Sequence, residues 1–198
     1  AITLNANNSV TPVSGYVVPF FVSNSKIETQ FGGIVIQAKS GDAHGVVSTP
    51  TVSILNSTIT STGDSSLQSV DSVQITATTR SGADGPAAKL NGSKITTLDA
   101  NISITANAAA ATGMIINATT IESTHAGAVS LQGQTASGDG VVLSTAKVAS
   151  GSNDVSVEGT GTTLGLKATT SMFETSTDRK STRLNSSHIP LSRMPSSA

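Results

Sequence analysis

Apolar residues along the chain fall into two alternating signatures. One sets an apolar residue five positions ahead of another, at Val22/Ile27, Ile54/Ile59, Leu90/Ile95, Ile116/Ile121 and Leu143/Val148. The other is an apolar-x-apolar pair, at Ile2/Leu4, Ile34/Ile36, Val73/Ile75, Ile102/Ile104, Val129/Leu131 and Val155/Val157. A spacing of two puts both side chains on one face of a strand. The residues between, such as Ser103, Ser130 and Ser156, are small and polar and are expected to face water. A helix would need apolar positions three and four apart, which these segments do not supply. Successive units start at Val22, Ile54, Leu90, Ile116 and Leu143, at spacings of 32, 36, 26 and 27. An insertion from Gly63 to Val70 accounts for the longest unit. Gly113, Gly140 and Gly165 each precede by three the residue that opens a unit, so Ala168 and Phe173 begin one more.

No single unit has enough apolar surface to close a core. Stacking units in parallel buries the Ile, Val and Leu as continuous columns and pairs the backbone of all but the terminal units. The expected fold is therefore all-β, a right-handed parallel β-helix (solenoid). About six coils at roughly 4.8 Å per coil make a rod near 25–30 Å long. Asn91 and Asn117 hold one position in consecutive units. They are expected to face inward, either as an amide ladder between coils or as turn residues.

Composition sharpens this reading. The chain has 31 Ser and 28 Thr among 198 residues, with 12% charged and 3% aromatic residues, no Trp and one Tyr, Tyr16. A compact globular core draws on large side chains that are scarce here. The abundance of β-branched residues argues equally against disorder. With no cysteine, disulfides and thiolate metal sites are excluded. No apolar run reaches the roughly 18 residues of a membrane helix, and no secretion-signal pattern precedes Ala1. A formal charge of −1 offers no electrostatic case for nucleic acid or anionic lipid.

From Asp178 the character changes. The segment Asp178-Arg179-Lys180-Ser181-Thr182-Arg183-Leu184-Asn185-Ser186-Ser187-His188 resembles the codon-by-codon translation of a short-read sequencing adapter. Ser192-Arg193-Met194-Pro195-Ser196-Ser197-Ala198 resembles the same adapter continued one base out of frame, with Ile189-Pro190-Leu191 in the place of the index. The resemblance implies that residues 178–198 are a non-native, disordered tail to be kept out of functional reasoning, and that residues 1–177 are a truncated fragment of a longer β-helix. Those residues hold seven Lys and Arg against eleven Asp and Glu, a net −4.

Candidate chemistry is sparse. Asp42, Asp84 and Asp139 sit in Gly-rich linkers, the last two in Ser81-Gly82-Ala83-Asp84-Gly85 and Ser137-Gly138-Asp139-Gly140. They offer either a carboxylate row, for glycoside hydrolysis or calcium, or plain turn chemistry; the turn reading is favoured. His44 lies near Asp42, and His125 stands alone. Both read as surface histidines in turns, since so many serines deprive any Ser-His-Asp match of weight. Thr58/Thr60/Thr62 and Thr76/Thr78 do not recur at one register as an ice-binding array would. Tyr16-Val17-Val18-Pro19-Phe20-Phe21 is the densest apolar run, expected to pack over an edge or cap the rod. No phosphate loop, metal-spaced histidine cluster or basic-aromatic stripe is present. No catalytic, cofactor or metal site is predicted, and no cofactor.

One stretch carries a family likeness. Leu90-Asn91-Gly92-Ser93-Lys94-Ile95 followed by Asn101-Ile102-Ser103-Ile104-Thr105-Ala106 resembles the passengers of filamentous-haemagglutinin type found in two-partner-secretion exoproteins and classical autotransporters. The likeness extends over residues 1–177. It implies a structural or adhesive stalk at the bacterial outer-membrane surface or outside the cell, and not an enzyme. It also implies an outer-membrane translocator as a partner, and contact with host or bacterial surface glycans or proteins. The family's secretion region and membrane barrel are not seen in this sequence. The competing expectation is a polysaccharide-acting β-helix lyase or hydrolase, which needs carboxylates and bases from neighbouring coils within about 5–10 Å. A disordered, glycosylated Ser/Thr tract is the third.

Overall fold

The computed structural model describes residues 1–6, 19–40, 49–63, 72–80 and 85–176, and the backbone of 182–186. Its strands form three all-parallel sheets. The first holds Ile2–Ala6, Ile34–Lys39, Val73–Thr78, Ile102–Ala108, Val129–Thr135, Val155–Thr160 and Thr182–Ser186. The second holds Phe20–Ser23, Val52–Leu55, Ala88–Asn91, Met114–Asn117, Val141–Ser144 and Leu166–Thr169. The third holds Lys26–Thr29, Thr58–Ser61, Lys94–Thr97, Thr120–Ser123, Lys147–Ser150 and Met172–Thr175. The chain visits the sheets in turn, so neighbours within each sheet come from successive coils. This is a parallel β-helix.

The registers follow the apolar signatures. Val22, Ile54, Leu90, Ile116, Leu143 and Ala168 are partners along the second sheet. Ile27, Ile59, Ile95, Ile121, Val148 and Phe173 are partners along the third. The first sheet sends four columns inward, the last of them Ala108 and Thr135 at the strand ends. Two are of large residues, through Ile102 and Ile104, both fully buried. The third is Ala6, Ala38, Ala77, Ala106, Gly133 and Gly159. This column must be small because the chain turns closely over it towards the second sheet. A Cβ on Gly159 would stand 1.7 Å from the carbonyl oxygen of Gly165, so even alanine is excluded there.

The corner between the second and third sheets is only two residues wide, and both are repeated coil by coil. The first, Asn24, Asn56, Gly92, Ala118, Thr145 and Thr170, adopts positive φ of 46 to 60° throughout. Asn and Gly take that left-handed conformation readily, whereas β-branched Thr pays for it. The second, Ser25, Ser57, Ser93, Thr119, Ala146 and Ser171, forms a hydroxyl ladder. Each hydroxyl donates to the carbonyl two residues back, as Ser57 does to Leu55 (2.7 Å) and Thr119 to Asn117 (2.8 Å). It also accepts the backbone N–H of its counterpart one coil earlier. These bonds run from Ser25 to Ser57 (3.1 Å), Ser57 to Ser93 (3.2 Å), Ser93 to Thr119 (3.3 Å) and Ala146 to Ser171 (3.2 Å). The one missing hydroxyl is at Ala146, which is buried.

A second hydroxyl column closes the corner between the third and first sheets. Ser61, Thr97, Ser123 and Ser150 point inward and are almost completely buried. Thr97 donates to the carbonyl of Ala100 (2.5 Å), Ser150 to that of Gly127 (2.9 Å), and Ser123 accepts from the Gly127 N–H (3.0 Å). The buried turns are thus satisfied by side chains of the strands that enter them.

One expectation changes. Asn91 and Asn117 do form a rung, Nδ2 of Asn117 donating to Oδ1 of Asn91 at 2.7 Å, but on the outside of the rod. Strand alternation dictates this, since each follows an inward residue, Leu90 or Ile116. From the apolar run, Phe20 packs against the core while Phe21 is 59% exposed; Tyr16, Val17 and Val18 lie outside the described residues. So does the insertion from Gly63 to Val70, apart from Gly63. Thr182–Ser186 pairs in parallel with Val155–Gly159, adding a seventh strand to the first sheet.

Restoring the absent rung by Ala146→Ser should stabilise the fold by about 1 kcal/mol. Ser93→Ala, which strips a buried N–H of its acceptor, should cost about 1–3 kcal/mol. Denaturant unfolding of the two variants checks both, and equal stabilities would refute the ladder. Replacing the exposed, left-handed Thr145 by Asn should add about 1 kcal/mol by relieving backbone strain.

Candidate functional site

Outward positions on the third sheet gather the charged side chains. One column reads Lys26, Thr58, Lys94, Thr120, Lys147 and Met172; the other, two residues on, reads Glu28, Thr60, Thr96, Glu122, Ala149 and Glu174. Pleating alone places both on the solvent face. Lys147 stands between two carboxylates from the coils on either side. Its Nζ donates to Oε1 of Glu122 at 3.0 Å and lies 3.3 Å from Oε2 of Glu174.

Where Glu122 and Glu174 have a long side chain, the intervening coil has Ala149. A groove of about 860 Å³ opens there, lined by Glu122, Ser123, Thr124, Ala149, Ser150, Gly151, Phe173, Glu174, Thr175 and Ser176. At its margin, Nδ1 of His125 lies 3.4 Å from Oδ1 of Asp99, one coil earlier; the imidazole is 63% exposed and the carboxylate 13%. This is where ionisable groups converge among the described residues.

Electrostatics decides what the cluster does. The Lys147 ammonium is held above its ordinary pKa of 10.5, chiefly by the hydrogen bond to Glu122, with Glu174 adding to it and partial desolvation opposing. It therefore stays protonated at neutral pH and is no proton-abstracting base. It pairs with both neighbouring carboxylates, leaving the trio at net −1, and ties three coils together. Among the described residues no group of three or more His, Cys, Asp or Glu is placed to hold a metal ion.

The candidate residues distribute unevenly over this geometry. Asp42, His44, Asp84 and His188 lie outside the described residues. Asp139 is at the corner between the first and second sheets, with Oδ1 buried and no protein partner, away from the groove. His125 is exposed in a turn as expected, but it is not alone, because stacking brings Asp99 beside it. Glu28, Glu122 and Glu174, which were not among the candidates, hold one register along the third sheet. The signal was present, since each directly follows the inward apolar residue of its strand, Ile27, Ile121 or Phe173. Thr60 meets Thr96 at 3.2 Å between Oγ1 atoms, and Thr76 is in register with Thr105. Both columns turn to other residues within a coil or two, so no threonine array runs along the rod.

Among the described residues no helix is long and apolar enough to cross a membrane. The chain matches no protein-family model, no curated protein and no solved structure.

Lys147→Met should lower stability at neutral pH by about 0.5–1 kcal/mol, limited by the exposure of the pair, and less in high salt. A lysine pKa raised by folding stabilises below the unfolded value and loses that contribution as pH rises through the folded one. The gap between wild type and variant should accordingly close above pH 10.5. A gap unchanged from neutral to strongly alkaline pH would show that lost packing, and not charge, is responsible.

Proposed function

We propose that this chain is a segment of a structural, adhesive stalk belonging to a bacterial surface-exposed or secreted β-helix protein of filamentous-haemagglutinin or autotransporter type. The observation that carries the reading is the charged cluster of the third sheet, whose lysine and two carboxylates pair with one another across three coils. The outer face of the first sheet supports it further. Across consecutive coils this face presents Gln74, Thr76, Ser103, Thr105, Ser130, Gln132, Ser156 and Glu158, a shallow and nearly uncharged repeat of amides and hydroxyls.

Such a surface suits weak contacts that gain strength by repetition along a rod. Its partners on this reading are glycans or proteins of host or bacterial surfaces, and its place is outside the cell or on the outer membrane. Export would then depend on an outer-membrane translocator.

The test presents the full chain, free and arrayed on beads, to immobilised cell-surface glycans and to intact cells. Arraying should tighten binding by about a hundredfold, with no breakdown of any polysaccharide offered. Release of reducing ends or unsaturated uronic acids, lost in Glu122→Gln or Glu174→Gln, would replace the stalk by a polysaccharide lyase or hydrolase.

A further inference from the structure

The seam between the coil of Thr119 and the coil of Ala146 is fastened unevenly. At the corner between the second and third sheets, both side-chain ladders stop there. The N–H of Thr119 meets a methyl group where the other coils offer a hydroxyl. Thr119 is buried, and this N–H has no acceptor among the described residues. The amide rung from Asn91 ends at Asn117, because its register partner in the next coil is Ser144, which makes no side-chain bond to it. Thr145, between Ser144 and Ala146, is β-branched and held at φ of 52°, a strain that parting of the coils relaxes. At the corner between the third and first sheets, three side chains hold the same two coils together. Ser150 donates to the carbonyl of Gly127 (2.9 Å), Ser152 to that of His125 (2.8 Å) and Asn153 to that of Ala126. We propose that this seam is a hinge. The coils part at Thr119 and Ala146, turn about Ser150, Ser152 and Asn153, and are held shut by Lys147.

The position of Lys147 suits that task. It directly follows Ala146, so its charge lies beside the missing rung. Its Nζ reaches back across the seam to Glu122 at 3.0 Å, while Glu174 at 3.3 Å anchors it to the coil after. The backward arm closes the seam from outside, where the other coils are closed from inside by hydroxyls. An outside fastening between partly exposed charges is screened by salt, whereas a buried hydroxyl rung is not. This corner of the seam is thereby made sensitive to ionic strength.

Backbone bonds report the opening. At the unfastened corner, the Ala118 N–H donates to the carbonyl of Ser144 (2.9 Å) and the Lys147 N–H to that of Thr119 (3.0 Å). At the far corner of the same seam, the Gly151 N–H donates to the carbonyl of Ser123 (2.8 Å). One seam earlier, the corresponding donors are Gly92 and Thr120 at the first corner and Thr124 at the far one. There the hydroxyl and amide rungs are both complete. The inference concerns an internal seam and does not depend on what the faces of the rod bind.

Native-state hydrogen exchange of the full chain, followed amide by amide by NMR, tests it. The N–H groups of residues 118 and 147 should be about tenfold less protected than that of Gly151. Gly92 and Thr120 should show no such deficit against Thr124. Ala146→Ser should bring residues 118 and 147 up to the level of Gly151. Lys147→Met should lower their protection by a further factor of about three. Sodium chloride at about 1 M should do the same to wild type and leave Lys147→Met unchanged. The hinge is overturned if the three amides of the seam exchange alike, as they would when whole coils detach together. It is overturned equally if salt acts on Lys147→Met as it does on wild type.

Discussion

Parallel register is the constraint on which everything else in this molecule rests. A coil of some 25 to 36 residues carries about six inward apolar side chains, too few to exclude water from one another in a single layer. They become a core only when the coil above and the coil below seal them. Each inward position must therefore be filled by a side chain that fits two neighbours. This is why the third column of the first sheet has contracted to alanine and then glycine, while Ile and Leu persist where the cross-section is wide.

The composition follows from the corners. Three sheets closing on one another require three sharp bends per coil, and every bend turns backbone polar groups towards a narrow apolar interior. Serine and threonine resolve this, because a hydroxyl one bond from the backbone can both donate and accept within the turn. At the corner between the second and third sheets the ladder uses both capacities at once. At the next corner, Ser123 and Ser150 hold the two sides of Gly127. A chain that is nearly a third hydroxyl residues is thus neither disordered nor generically polar. Its buried hydroxyl residues are the internal fastening of a thin rod.

These facts also mark what the sequence disclosed and what it concealed. The Ile, Val and Leu positions predicted the registers of all three sheets, because burial tolerates few residue types and period two is unambiguous. Asn91 and Asn117 were recognised as partners but assigned to the wrong side. A five-residue spacing spans a bend, and the facing of residues near a bend is clear only once Leu90 and Ile116 are known to be the inward ones. The hydroxyl columns escaped notice for a different reason. Against 59 Ser and Thr, the recurrence of Ser57, Ser93 and Thr119 carries no contrast. The cluster around Lys147 escaped because its members come from three coils, and two of those strands are otherwise Lys-x-x-Ser or Thr-x-x-Ser. Pairing across coils is a property of the stack and not of any unit.

The same asymmetry tells where function is to be sought. Inward and corner positions are committed to sealing, bending and fastening, and their residue types follow from those duties. Outward positions are free of them. On the third sheet that freedom has produced Lys-Glu pairing across coils; on the first, a broad surface of Gln, Thr, Ser and Asn with scarcely a charge. An enzyme built on this scaffold would concentrate its unusual residues in one coil's width and hold them unneutralised. Among the described residues, Lys147 pairs with Glu122 and Glu174 across three coils, and the outer face of the first sheet repeats amides and hydroxyls. A surface extended along the rod, with each coil offering a similar shallow set of hydrogen-bonding groups, gains by length what it lacks in depth, and length is the one property that stacking supplies without further invention.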